Sequence, residues 1–276
     1  MDIVTSVKAL RERLQREPNN VFVPTMGNLH EGHIDLIRIG KPKAACTVVS
    51  IFVNRLQFGP KEDFERYPRT FQSDCDKLEG AGVDVVFAPN EKEIYPEPQT
   101  FVVEPSEVQH ILDGAFRPGH FRGVATVVLK LFNMVMPHAA IFGKKDYQQY
   151  LVLRDMVRQL ALPVEIIPAE TVRAADGLAL SSRNGYLTAA ERAEAPRLYS
   201  LLRDAYARIS KGERNFQRIE LDAMALLAQN GWVPQYISVR RRADLQVPTA
   251  ADRELVMLAA AYLGKTRLID NIEVTL

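Results

Sequence analysis

Short β-branched runs alternate with longer stretches of helical period through the first two thirds of this chain. Val21–Val23, Thr47–Val53, Val83–Phe87 and Ala139–Phe142 are apolar at almost every position, as strands buried on both faces are. Between them, Ile34–Gly40, Phe71–Ala81, Gly123–Met136 and Tyr147–Leu160 space their apolar residues with helical period. Val164–Ile167, after Pro163, adds a further strand. The alternation predicts an α/β fold, a Rossmann-like parallel sheet with helices on both faces. Ligands are then expected outside the carboxyl ends of the strands.

The pattern changes after about Asn184. Leu187–Ile209 reads as helical, with Thr188 as N-cap and Glu191 three positions on, a capping box. Arg218–Leu227 is a second helical stretch. Tyr236–Val239, Leu255–Ala261 and Thr266–Val274 then form a strand-rich end. The break falls near residues 176–186. Residues 1–175 are therefore expected to form the Rossmann-like domain and residues 176–276 a smaller C-terminal α+β lid domain.

Composition narrows the function classes. The chain has 276 residues, 47% apolar and 25% charged, with a formal net charge of +1. That balance gives no field for nucleic acid. Two cysteines, Cys46 and Cys75, are too few for a disulfide framework or a four-ligand zinc site. No segment reaches the ~18 consecutive apolar residues of a membrane span, and the first twenty residues lack a signal-peptide core. A soluble, cytoplasmic protein is expected.

The strand Val21–Val23 runs through Pro24 and Thr25 into Met26-Gly27-Asn28-Leu29-His30-Glu31-Gly32-His33. A helix beginning near Leu29 puts His30 and His33 on one face of its first turn. The unpaired N–H groups of that turn carry partial positive charge. An anion there would meet amides, helix dipole and two imidazoles together. The motif is not H-E-x-x-H, and no Walker A loop, G-x-S-x-G elbow or G-x-G-x-x-G after a strand is present.

Three other segments supply compatible groups. Gly143-Lys144-Lys145-Asp146 follows the strand Ala139–Phe142, so it shares the histidines' rim. A lysine there can reach phosphate, though charge does not say whether it is Lys144 or Lys145. Asp146 can cap the helix, hold a nucleotide hydroxyl or help hold Mg²⁺. Asn54 and Gln57 end a third strand, with neutral amides suited to a small polyhydroxy acid. Ser181-Ser182-Arg183, behind Gly177, offers two hydroxyls and a guanidinium to phosphate oxygens. Arg117, His120 and Arg122 are further options, His120 being as readily structural as catalytic.

Taken in order, Val23–His33, Val49–Phe58, Tyr67–Thr70, Arg117–Thr126, Phe142–Gln149, Gly177–Leu187 and Thr266–Asn271 resemble the pantothenate synthetase family. These are the ATP-dependent pantoate–β-alanine ligases of the nucleotidylyltransferase superfamily. The resemblance runs over essentially the whole chain. It implies attack of the pantoate carboxylate on the α-phosphorus of ATP, giving pantoyl adenylate and pyrophosphate. Attack by β-alanine then gives pantothenate and AMP. Mg²⁺ with the ATP phosphates, a homodimer and small-molecule substrates alone are implied as well.

The same resemblance assigns residues. Met26 through His33 would line the ATP phosphates, with His30 and His33 on the triphosphate and His33 as proton donor. Lys145 would bind phosphate, with Gly143, Lys144 and Asp146 along the nucleoside. Val172 and Leu180 would touch adenine, and Ser181, Ser182 and Arg183 would close over the β- and γ-phosphates. Gln57 and Gln149 would bracket pantoate, with Gln57 also near β-alanine and Asn54, Tyr67 and Met26 beside them. Two positions depart from the family pattern, Arg55 where Pro is usual and Arg241 where Asp is. Arg55 brings a permanent charge near the acid-binding amides, while Arg241 is expected to act locally.

Three other functions compete. A nucleotidylyltransferase using a phosphorylated acceptor would want Arg and Lys where Gln57 and Gln149 stand. An RNA-binding relative of tRNA synthetases would want more than the fourteen Lys/Arg against twelve Asp/Glu found in residues 176–276. An inactive binding module would not keep the full phosphate-binding set.

Overall fold

The protein is described from a computed structural model over residues 1–60 and 62–276. Its chain forms two compact units. The first contains Met1–Lys144 and Val152–Glu170, the second Lys145–Leu151 and Thr171–Leu276.

The first unit is built on a six-stranded parallel sheet. Its strands are β1 (Asp2–Val4), β2 (Asn20–Thr25), β3 (Cys46–Ile51), β4 (Val85–Phe87), β5 (Ala139–Gly143) and β6 (Glu165–Ala169), in the order β1-β4-β3-β2-β5-β6. Val21, Val23, Val49, Val86 and Ile141 face one apolar cluster, and Phe22, Val48, Val85, Phe87 and Ala140 face the other. Alternate residues of one strand feed opposite layers, which is why these strands are apolar without interruption.

Helices cover both faces. Leu10 and Leu14 of α1 (Val7–Leu14) pack with Phe22 and Val48. Ile34 and Ile37 of α2 (Glu31–Gly40) and Leu78 of α3 (Phe71–Gly80) pack on the opposite face. Two single turns, α4 (Glu91–Ile94) and α5 (Asp113–Phe116), precede the long helix α6 (His120–Val135), which joins the α1 layer. Helix α7 (Tyr147–Gln159) adds Val152, Leu153, Met156 and Val157 to that layer. β3 and β5 flank β2 on opposite sides, so sheet order reverses direction at β2. Such a reversal opens a crevice at the carboxyl ends of the strands.

The second unit places α8 (Ala189–Glu194), α9 (Arg197–Ser210) and α10 (Phe216–Gln229) with an antiparallel sheet of β7 (Trp232–Arg241), β8 (Glu254–Leu263) and β9 (Thr266–Thr275). The expected capping box is formed: Thr188 Oγ1 accepts the N–H of Glu191, whose carboxylate accepts the N–H of Thr188 at 2.8 Å. The stretch read as one helix is two, because Pro196 interrupts it and caps α9. Leu198, Leu202, Ile209, Ile219, Leu227, Met257 and Leu268 are among the residues closing its core. Among the described residues, no helix is long and apolar enough to cross a membrane.

Candidate functional site

β2 ends at Thr25, and Gly27 (φ +85°) and Asn28 (φ 50°) turn the chain toward α2. Helix α2 starts at Glu31, two residues later than the sequence pattern suggested, with His30 as its N-cap. The two histidines cap the helix reciprocally. Nδ1 of His30 accepts the N–H of Gly32 at 3.1 Å, and Nδ1 of His33 accepts the N–H of His30 at 3.2 Å. A ring nitrogen that accepts carries no proton, so each neutral imidazole holds its hydrogen on Nε2. The rings lie 4.1 Å apart between centroids, tilted by 42°.

Several amides of this turn, expected to be anion donors, are already engaged. Asp74 on α3 accepts the N–H of Asn28 at 2.9 Å and of Leu29 at 2.8 Å, and the hydroxyl of Thr70 at 3.1 Å. Lys77, one turn on, donates to the Leu29 carbonyl at 2.7 Å. The amides of residues 28, 29, 30 and 32 are thus satisfied by side chains. The helix dipole still favours an anion at this end of α2.

β3 hands over to a 3₁₀ turn, Arg55–Gln57, capped by Asn54. Asn54 is buried and its amide is fully used. Nδ2 donates to Gln57 Oε1 at 3.0 Å and to the Gly123 carbonyl at 3.2 Å, while Oδ1 accepts from Tyr95 at 2.8 Å. Asn54 thus aims Gln57, whose Nε2 lies 3.3 Å from the sulfur of Met26. Tyr67, buried, packs edge-on against Phe58.

Between α5 and α6, Arg117 donates to Nε2 of His120, the first residue of α6, at 2.9 Å, and a guanidinium can only donate. His120 must therefore carry its proton on Nδ1, which donates to the Gln57 carbonyl at 2.9 Å. Burial, then the neighbouring guanidinium, hold His120 down at a pKa of about 4. Arg117 forms a bidentate pair with Glu62. Arg55 turns to solvent, pairing with Glu65 at 3.2 Å and Glu91 at 3.6 Å and stacking on Phe64. Arg117 and Arg55 are thus paired with carboxylates, while Gln57 itself meets the Asn54 amide, the Met26 sulfur and the His120 ring.

Gly143 ends β5, and Lys144 donates to Glu170 at 2.6 Å. Lys145 belongs to the second unit, its ammonium 3.9 Å from Asp146. Asp146 is half exposed. Among the described residues no group of three or more His, Cys, Asp or Glu gathers as a metal cage. A single exposed carboxylate fits a Mg²⁺ ion carried in on phosphate groups. Gln149, half-buried, follows on α7.

In the same unit, residues 172–180 fold back on themselves. Leu180 N–H donates to the Val172 carbonyl at 3.0 Å, pairing the two residues assigned to adenine. Ser181 then caps a 3₁₀ turn, its Oγ accepting the N–H of Arg183 at 3.2 Å, with Ser182 and Arg183 as the turn's first residues. Arg241 pairs locally with Asp244. Sequence reasoning missed Asp74, Tyr95 and Arg173. For Asp74 a signal existed: it shares the buried stripe of α3 with Cys75 and Leu78, an odd place for a carboxylate.

Comparison with known proteins adds an independent line. The family model described as pantoate-beta-alanine ligase matches residues 2–273. A pantothenate synthetase of Nitrosospira multiformis is 56% identical over 275 residues, covering 100% of this chain and 99% of that protein. The crystal structure of the pantothenate synthetase of Thermus thermophilus superposes with a TM-score of 0.95 at 42% identity, both chains covered completely. That of the pantoate-beta-alanine ligase of Francisella tularensis, complexed with beta-gamma ATP and beta-alanine, gives 0.84 at 36% identity, covering 99% and 97%.

Proposed function

This chain belongs to the pantoate–β-alanine ligase family, and we propose that it joins its two acids in two steps through a pantoyl adenylate. It is an acid–amine ligase with ATP as co-substrate. In the first step a carboxylate oxygen of pantoate bonds to the α-phosphorus, and the bond from that phosphorus to the β-bridging oxygen breaks. Pyrophosphate leaves with the electron pair. In the second step the neutral amine of β-alanine attacks the acyl carbon. The carbon–oxygen bond to AMP breaks, and the amine gives up a proton to solvent.

The barrier in the first step is charge, since a carboxylate must approach a triphosphate. Preset donors are the available remedy. His30 and His33 supply Nε2–H groups to phosphate oxygens, with His33 facing the leaving pyrophosphate as proton donor. Lys145 supplies a point charge, because Lys144 is already paired with Glu170. Ser181, Ser182 and Arg183 hold the β- and γ-phosphates. Val172 and Leu180 contact adenine, and Gly143 and Asp146 the nucleoside. Asp146 would help hold a Mg²⁺ bound with ATP, which would supply charge neutralisation to the phosphates. Gln57 and Gln149 bracket pantoate, walled by Met26 and Tyr67.

The observation carrying this reading is Gln57, held by Asn54 and His120 among neutral groups while Arg117 and Arg55 are paired to carboxylates. A phosphorylated acceptor would need those cations unpaired, whereas a hydroxy acid needs amides. Buried, free thiols at Cys46 and Cys75 support a reducing compartment, the cytoplasm. We assign a homodimer as the working form, to be checked by gel filtration with light scattering.

The direct test is release of AMP and pyrophosphate from ATP and Mg²⁺ with D-pantoate, with and without β-alanine. Steady AMP formation only with both acids supports the ligase. ATP binding without any pantoate-dependent product would return the site to a nucleotidylyltransferase.

A further inference from the structure

The segment Thr266–Asn271, one of the stretches that resemble the family, carries none of the residues proposed to meet ATP or the two acids. Its strand, β9, is where two segments of the second unit that carry proposed ATP-binding residues are fastened. Successive residues of a strand point to opposite faces. Leu268 and Val274 face the helical core, and Asp270 lies on their side of the strand. Asn271 and Glu273 lie on the other.

On the core side, Asp270 is 4% exposed and grips Arg173 through both carboxylate oxygens, at 2.7 and 2.8 Å. Arg173 is a hub. Its guanidinium also donates to the carbonyls of Gly177 at 3.1 Å and Asn271 at 3.3 Å, and lies 3.5 Å over the ring of Tyr199. Its backbone bridges Ala179 inside the fold-back of residues 172–180. Arg173 therefore holds both arms and the turn of the segment that presents Val172, Leu180 and the Ser181–Arg183 turn.

On the other side, Asn271 is 6% exposed and donates from Nδ2 to the carbonyl of Lys145 at 2.9 Å. Two residues along the same face, Glu273 accepts the hydroxyl of Tyr147 at 2.8 Å. The backbone that carries Lys145, Asp146 and Gln149 is thus fastened at two points. Asp270 and Asn271 are themselves locked together, because the N–H of Asn271 donates to Asp270 Oδ1 at 2.8 Å.

A buried carboxylate beside a buried amide is a poor choice for stability alone, since apolar residues of similar size serve a sheet core as well or better. We infer that Asp270 and Asn271 are positioning residues for ATP, which hold Lys145 and the fold-back of residues 172–180 in one frame from opposite faces of β9. The inference rests on the proposed roles of those residues in ATP binding. It adds that their spacing is set by a strand that touches no substrate.

The test is ATP affinity in Asn271→Ala and Asp270→Asn, read by calorimetric titration with a non-hydrolysable ATP analogue and Mg²⁺, and by the three KM values. Loss of one buried hydrogen bond is expected to weaken nucleotide binding about tenfold. KM for ATP should rise by a similar factor, with KM for pantoate and β-alanine within twofold of the parent; Asp270→Asn also lowers the thermal midpoint, since it leaves the Arg173 guanidinium without its carboxylate. Unchanged nucleotide affinity in either folded variant overturns the inference, and so does a parallel rise in all three KM values with a falling midpoint. If Asn271→Ala does not fold, Asn271→Ser, which keeps a short donor, is measured instead. Failure of the ligase assignment is separable: the parent protein would bind the analogue yet form no AMP with pantoate and β-alanine.

Discussion

The buried carboxylate of Asp74 accepts the backbone N–H of Leu29 at 2.8 Å, across 45 residues of sequence. The neighbouring N–H of Asn28 is taken at 2.9 Å, and a Cβ on Gly27 would stand 3.1 Å from the same carboxylate. The turn that delivers both histidines is therefore clamped from α3. Asp74→Ala leaves two amides without their acceptor, and hydrogen bonds to a charged group contribute about 1.5–3 kcal/mol each. We expect a stability loss of about 3 kcal/mol in urea unfolding, with weaker ATP binding in the folded fraction. Asp74→Ala with the parent's urea midpoint and nucleotide affinity would show that the turn holds its shape unaided.

His33 caps α2 and, in the proposed mechanism, is also a donor to phosphate. His33→Ala removes an acceptor for the His30 N–H, worth about 1 kcal/mol as a cap, and one Nε2–H aimed at developing charge. Loss of one such donor typically lowers turnover by about 10²–10³. The expected outcome is a folded protein that forms pyrophosphate from ATP and pantoate at that reduced rate. Near-normal turnover would remove His33 from the mechanism.

The adjacent lysines should behave differently. Lys144 is paired with Glu170 at 2.6 Å, whereas the Lys145 ammonium stands 3.9 Å from Asp146. Lys145→Ala is expected to lower adenylation by at least tenfold, and Lys144→Ala by less than threefold. Equal losses in a pyrophosphate-release assay would contradict the division of roles.

His120 makes stability depend on pH. Its folded pKa is about 4 against an ordinary 6.5, the cause being burial and then Arg117. Below pH 6.5 the unfolded chain binds a proton that the folded one refuses, so stability falls as pH drops toward 4 and levels off below it. By pH 5 this amounts to about 2 kcal/mol. His120→Asn keeps a donor for the Gln57 carbonyl and removes the titration. Urea midpoints of parent and variant should diverge between pH 7 and 5, the parent losing more. Parallel profiles would mean that folded His120 takes up its second proton as readily as the unfolded chain does.

Much of the first unit is legible because strands buried on both faces are apolar at every position, so β2, β3, β4 and β5 stand out as short dense runs. β1 does not, since Asp2–Val4 is a three-residue edge strand with an exposed Asp2 and Ile3. Strand order is also hidden, as periodicity reports burial and not neighbours. As candidates, Met26–His33, Asn54, Gln57 and Gly143–Asp146 were findable because they follow closely on β2, β3 and β5. Their supports were not: Leu29 and Asp74 are 45 residues apart, and Arg173 and Asp270 are 97 apart. Nothing local links them. The segment Lys145–Leu151 groups with Thr171–Leu276, an arrangement that a reading along the chain has no means to express.

Gly123 gives a substitution with an unusual sign. In most helix interiors Gly→Ala stabilises by roughly 1 kcal/mol, because alanine loses less backbone entropy. Here α6 presses backbone to backbone on the turn Arg55–Gln57, and an added Cβ would collide with the Leu56 carbonyl and approach the Gln57 Cα at 2.7 Å. The Gly123 carbonyl also accepts from Asn54, the residue that aims Gln57. Room for a methyl can come only from moving the turn, and overpacking of this kind costs about 1–3 kcal/mol. Gly123→Ala should therefore lower the thermal midpoint and raise KM for pantoate, leaving ATP affinity close to the parent's. A more stable protein with unchanged KM would mean that α6 and the turn slide apart freely and that Gln57 does not depend on their contact.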